Sequence, residues 1–97
     1  MATAATKTFK NFIGGEWVDA ASGETFETSS PATGETLGVF PRSSADDVDR
    51  AVEAAKAAYD DWRLTLAPKR GEILFQFGRL LADRKDEIAE LMAREMG

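Results

Sequence analysis

Two pairs of adjacent carboxylates, Asp46-Asp47 and Asp60-Asp61, and one basic pair, Lys69-Arg70, are the side chains whose types and spacing suit chemistry. A carboxylate pair would serve as a general acid and base, or hold a hard cation. Adjacent residues of a helix do not face each other, however. The sequence context therefore points to a helix N-terminus for Asp46-Asp47 and a solvated helix end for Asp60-Asp61. Lys69-Arg70 would bind an anion at a helix N-terminus; the plainer alternative is a solvated first turn. Trp17, Tyr59 and Trp62 would line a ligand pocket, but Tyr59 and Trp62 fall in an apolar stripe, which favours core packing.

The missing residue types narrow the chemistry further. The 97 residues contain neither Cys nor His. Thiolate chemistry and disulfides are excluded within this sequence, as are the usual general base at neutral pH and the commonest metal ligand. Gly14-Gly15 lacks the spacing of a dinucleotide fingerprint, and no Gly-rich run ends in Lys-Ser or Lys-Thr. Seventeen acidic against twelve basic residues give a net charge of −5. That balance argues against a nucleic-acid surface, which needs clustered Lys and Arg. No apolar run approaches the roughly 18 residues of a membrane span. Residues 1–10, "MATAATKTFK", lack a secretory core and carry no Arg. Residues 1–8 read as a flexible lead-in to a cytoplasmic protein.

The elements that would position these groups fall into two halves. "NFIGGEWV", Asn11 to Val18, places apolar residues on both sides of a Gly pair suited to a tight hairpin turn. "TFETSS" and "TLGVFP" flank the turn "PATGE" and form a second hairpin, with Pro41 expected to end its ladder. The hairpins thus occupy residues 10–41. Ser44 offers a helix cap and Asp46-Asp47 complement the helix dipole. Val48, Ala51, Val52, Ala55, Ala58, Tyr59 and Trp62 then keep helical spacing, predicting a helix over 45–62. Pro68 suits the start of the next helix. Ile73, Leu74, Phe77, Leu80, Leu81, Ile88, Leu91 and Met92 form its stripe over 68–96, either continuous or broken with Asp86 as a new cap. Gly71 and Gly78 inside that stripe predict close approach of a neighbouring element. The chain alone reads as two β-hairpins followed by two or three amphipathic helices.

Three stretches, in order, resemble the opening of the NAD(P)-dependent aldehyde dehydrogenases. They are "FIGGEWVDAASGETFETSSPATGETLGVFP" (Phe12 to Pro41), "ADDVDRAVEAAKAAYDDWR" (Ala45 to Arg63) and "RGEILFQFGRLLADRKDEIAELMAREMG" (Arg70 to Gly97). The likeness runs from Phe9 to Gly97. Ser30 before Pro31 and Ala67 before Pro68 depart from the residues commoner there in the family. The resemblance implies an α/β parent with a Rossmann-type cofactor-binding domain, of which residues 9–97 are the N-terminal part. It implies that the chain continues past Gly97 and contacts the rest of the same polypeptide. It implies oxidation of an aldehyde to a carboxylic acid with NAD or NADP, and a homo-oligomeric parent. The family's nucleophilic Cys, general-base Glu and cofactor-binding residues match no position here, so no catalytic or cofactor-binding residue is assigned. The resemblance also implies a monovalent cation, K⁺ or Na⁺, held by the main-chain carbonyls of Thr28 and Ser29 as in some members. An ordinary strand is the alternative at those two residues. A different class of protein, a self-contained α+β interaction module without catalysis, would also account for the missing chemistry, but not for the order of the three stretches.

Overall fold

The computed structural model describes residues 6–97. Its elements in chain order are β1 (Asn11–Ile13), β2 (Glu16–Val18), β3 (Thr25–Ser29), β4 (Thr36–Pro41), α1 (Ala45–Leu64), α2 (Ala67–Asp83) and α3 (Lys85–Met96). Two antiparallel hairpins precede three helices, the architecture expected for this chain.

The β1–β2 turn is made by Gly14 at φ 61° and Gly15 at φ 81°. Both angles lie in the region that disfavours any side chain with a Cβ, which is why the Gly pair stands there. Across this hairpin Phe12 faces Trp17, with ring centroids 4.8 Å apart. In the second hairpin Phe26 faces Phe40, and Phe40 also stacks on Phe9 at 4.9 Å. Cross-strand aromatic pairs of this kind stabilise hairpins too short to stand on ladder bonds alone.

The ladder of β3 and β4 ends at Pro41, as expected, with one further main-chain bond beyond it. Pro41 faces Thr25, and the Arg42 N–H donates to the Glu24 carbonyl at 2.8 Å. Antiparallel pairs alternate between bonded and non-bonded. Pro41 occupies a non-bonded pair, where its missing N–H leaves nothing unpaired, and it forms the last pair of the ladder.

The flexible lead-in expected over residues 1–8 does not extend to Lys7 and Thr8. Residues 1–5 lie outside the described residues, but Lys7 and Thr8 run parallel to β4. The Val39 N–H donates to the Lys7 carbonyl at 2.9 Å, and the Phe9 N–H donates to the Val39 carbonyl at 2.8 Å. At Val39 the N–H and C=O face away from β3, which frees them for this third segment. Gly38 permits the approach: a Cβ there would come within 2.6 Å of the Phe9 ring.

The helices begin and end close to their predicted limits. Between α2 and α3 the chain breaks at Arg84 (φ −103°, ψ 16°), not at a cap by Asp86. Asp86 and Glu87 instead sit in the first turn of α3, where negative charge is favoured. The cap of α2 is Leu66, with no side-chain hydrogen bond, and Pro68 is the second residue of the helix.

The core is where expectation and structure part. Ala20 is the one buried apolar residue among those described. Trp17, Tyr59 and Trp62 do not pack into a core; they are 67, 59 and 38% exposed. Packing against a core requires a second apolar layer, and the two helical stripes do not supply it to each other: Val48, Val52, Leu74, Phe77 and Leu91 all stay exposed. Gly71 and Gly78 likewise meet nothing within 4 Å, so the predicted close neighbour is not among the described residues. The radius of gyration is 17.3 Å, against roughly 12.5 Å for a compact domain of this length. No helix among the described residues is long and apolar enough to cross a membrane.

Candidate functional site

The polar groups gather at one place, the N-terminus of α1. Ser44 is the cap residue, and Asp47 follows three positions later, the spacing of a capping box. The Asp47 side chain turns back and accepts the Ser44 N–H at 2.9 Å and the Ser44 hydroxyl at 3.3 Å. Its other oxygen accepts the Ala21 N–H at 2.9 Å and Arg50 Nη2 at 3.1 Å. Asp47 is buried, so these donors replace water around its charge. Its carboxyl is held below the usual carboxylate range, first by the Ser44 and Ala21 N–H groups and less by the Arg50 guanidinium. One residue thereby joins the β2–β3 loop to the helix. Beside it the Asn11 amide donates to Ser43 Oγ at 2.7 Å, tying β1 to the same junction. An open groove lies here, lined by Asn11, Phe12, Ile13, Ser43, Asp47 and Val48 among others.

The junction is a fastening and contains no acid–base pair. Asp46 stays exposed while Asp47 is buried, so the two carboxylates do not act together. Asp60 and Asp61 are both exposed, and Asp60 pairs with Arg63 at 3.6 Å. Among the described residues no group of three or more acidic side chains converges as a metal site would require. Tyr59 and Trp62 line a second shallow concavity on α1 with Ala55, Ala58, Asp61 and Thr65. Trp17 sits on the first hairpin against Phe12 and is not part of it.

Lys69 and Arg70 also separate. Lys69 is exposed and pairs with Glu72 at 3.5 Å. Arg70 is half-buried, and its Nε is shielded from solvent without a hydrogen-bond partner among the described residues.

Thr28 and Ser29 lie at the end of β3. Thr28 faces Gly38 and Ser29 faces Thr36, with a register shift between the two. Successive carbonyls of a regular strand point in opposite directions. A shift between these two residues is the kind of irregularity that re-aims one of them. The next residue, Ser30, is buried, and its carbonyl accepts the Gly34 N–H at 2.8 Å.

The reach of Asp47 to Ala21 went unforeseen in the sequence. The Ser44-to-Asp47 spacing carries the half of the signal that concerns the helix; the loop contact is long-range and leaves no local pattern. Arg70 is the other residue whose setting the sequence understated, because a basic pair does not show which member is shielded.

The arrangement is a scaffold of hairpins fastened to helices with apolar faces turned outward, and the comparisons identify the scaffold. The sequence profile of the aldehyde dehydrogenase family matches residues 17–97, and the chain belongs to that family. Malonate-semialdehyde dehydrogenase 2 of Geobacillus kaustophilus is 45% identical over 95 residues, which cover 98% of this chain and 20% of that protein. The solved structure of 3,6-anhydro-L-galactose dehydrogenase in complex with NAP superposes with a TM-score of 0.89 at 35% identity, over 94% of this chain and 19% of that one. Mycobacterium tuberculosis aldehyde dehydrogenase complexed with NAD⁺ gives a TM-score of 0.81 at 38% identity, over 93% and 19%. The chain spans about a fifth of the length of these relatives.

Proposed function

We propose that this chain is the amino-terminal part of an NAD(P)-dependent aldehyde dehydrogenase, where it supports the cofactor-binding domain. The observation that carries the reading is the pair of helical stripes left open to solvent by a chain whose fold matches a fifth of much longer relatives. In the whole enzyme a Cys thiolate adds to the aldehyde, hydride passes to NAD⁺ or NADP⁺, and a Glu activates water to release the acid. None of those groups belongs to this chain, which has no Cys. Its contribution is to hold the hairpins and α1 in fixed relation through Asp47. The whole protein is a cytoplasmic homo-oligomer in this reading. A monovalent cation at the Thr28 and Ser29 carbonyls belongs to the same reading; the register shift between them supports it, and the rest of the ion's ligands come from elsewhere.

A chimera tests the proposal. This chain replaces the matched segment of the Geobacillus kaustophilus relative, and nucleotide-dependent oxidation of malonate semialdehyde is followed. A soluble, active chimera is expected. A chimera that is soluble but inactive, or that does not fold, overturns the reading.

A further inference from the structure

α2 is more apolar than a surface helix needs to be. At 3.6 residues per turn, Leu80, Ile73, Phe77, Leu81, Leu74 and Phe75 spread over an arc of roughly 220°. A helix resting on one core carries an apolar stripe of about 100° or somewhat more. Within the arc, between Leu74 and Phe75, runs a strip of small residues: Ala67, Gly71, Gly78 and Ala82. The polar residues Lys69, Glu72, Gln76, Arg79 and Asp83 are confined to the remainder. The large side chains are uncovered here: Leu74 is 61, Phe75 68 and Phe77 57% exposed.

One charged residue lies inside the apolar arc. Arg70 falls between Phe77 and Leu81 around the helix, and its Nε is already out of contact with solvent and without a partner among the described residues. A guanidinium cannot shed its proton in a protein. A segment that covers the arc would therefore bury a permanent positive charge, which is strongly unfavourable unless an anion comes with it. The two observations are independent. The arc calls for an apolar cover on more than one side, and Arg70 calls for a carboxylate within that cover.

Resting on the family-level reading above, we propose that α2 is an enclosed helix in the whole protein. Its cover is the part of an aldehyde dehydrogenase polypeptide outside these 97 residues, and that cover carries an Asp or Glu paired with Arg70. The relatives are about five times as long as this chain, which supplies the necessary length. The strip of small residues lets the cover approach the α2 backbone closely.

The test uses thiol labelling, read at one position by peptide mass spectrometry so that other thiols do not count. In the 97-residue chain, which has no Cys of its own, Ala82→Cys and Asp83→Cys react at the same fast rate at every protein concentration. In the chimera Ala82→Cys slows on the order of 100-fold, as an enclosed position does, while Asp83→Cys stays fast. An active chimera in which both react equally overturns the enclosure and leaves the family-level reading standing; an inactive chimera overturns that reading first. Concentration-dependent protection of Ala82→Cys in the isolated chain would assign the cover to a second copy and overturn the proposal. For the carboxylate, Arg70→Met keeps the length and removes the charge. It lowers the chimera's melting temperature by several degrees, and Arg70→Lys restores at least half of the loss. Equal melting of all three overturns the pairing.

Discussion

Asp47 satisfies two main-chain N–H groups from separate parts of the chain with one carboxylate, so its charge state and its shape both matter. Asp47→Asn keeps the shape but turns one acceptor oxygen into a donor, which then opposes the Ser44 or Ala21 N–H. We expect it to lower the helical circular dichroism of the chain and its urea midpoint, whereas Asp46→Asn at the exposed neighbour changes little. Equal effects from the two substitutions would show that the junction is not the fastening. The pH dependence has a definite sign. The folded state holds the Asp47 pKa below the ordinary value of an aspartate. Its contribution is therefore present above that value and lost as pH falls below it through the lower folded value. The Asn variant should lack that acid-induced loss, which an acid titration followed by circular dichroism would reveal. At Gly14 and Gly15 the argument is steric. Replacing both with Val forces β-branched residues to positive φ, at roughly 1–2 kcal/mol each, and should lower the stability of the active chimera accordingly. An unchanged denaturation midpoint would count against this turn.

The elements themselves were largely legible in the sequence. The Gly pair marked the first hairpin because no other residue type takes those angles cheaply. The stripe from Val48 to Trp62 marked α1 because apolar spacing of 3 and 4 fits only a helix. Two features escaped because their causes are long-range. The Lys7–Phe9 bridge exists because Val39 has a free edge and Gly38 has no Cβ, and neither fact shows in the residues "KTF". The break at Arg84 is a local matter that the sequence leaves open: it keeps the phase of the apolar stripe, so the spacing from Leu81 to Ile88 looks the same with or without it. The contact from Asp47 to Ala21 spans 26 residues. Trp17, Tyr59 and Trp62 show the limit from the other direction. Their spacing announces a buried face, but does not say whether the covering layer lies in the same 97 residues. The added bridge makes its own prediction. Gly38→Ala places a methyl group against the Phe9 ring, so Phe9 must leave Phe40. We expect a loss of about 1–3 kcal/mol, as for other overpacked sites, together with faster amide exchange at Val39 and Phe9. Unaltered exchange at both amides would show that the bridge does not depend on the glycine.

The shape of the whole chain follows from the same imbalance between apolar faces and available cover. A chain of 97 residues can bury a core, yet among the described residues of this one a single apolar residue is buried, and the fold extends 54 Å along its longest axis. Its helices keep internal hydrogen bonds wherever their side chains lie, so secondary structure does not require the missing layer. Cooperativity does, since an all-or-none transition arises from side chains that lose their packing together. The two hairpins do not make good the shortfall, because short isolated hairpins are marginal in water. Far-UV circular dichroism of the isolated chain should therefore show helix, while heat or urea gives a broad transition. ANS should bind before that transition, as it does to states with helices formed and apolar surface open. Under the same conditions the chain should leave aldehyde and NAD⁺ unreacted, with flat NADH absorbance, because no thiolate is present to form the thiohemiacetal. The chimera should lose the ANS signal and melt sharply as the remaining four-fifths cover the stripes. A sharp two-state transition from a monomeric 97-residue chain without ANS binding would mean that its faces need no cover, and both the enclosed α2 and the supporting role proposed for the chain would fall with that result.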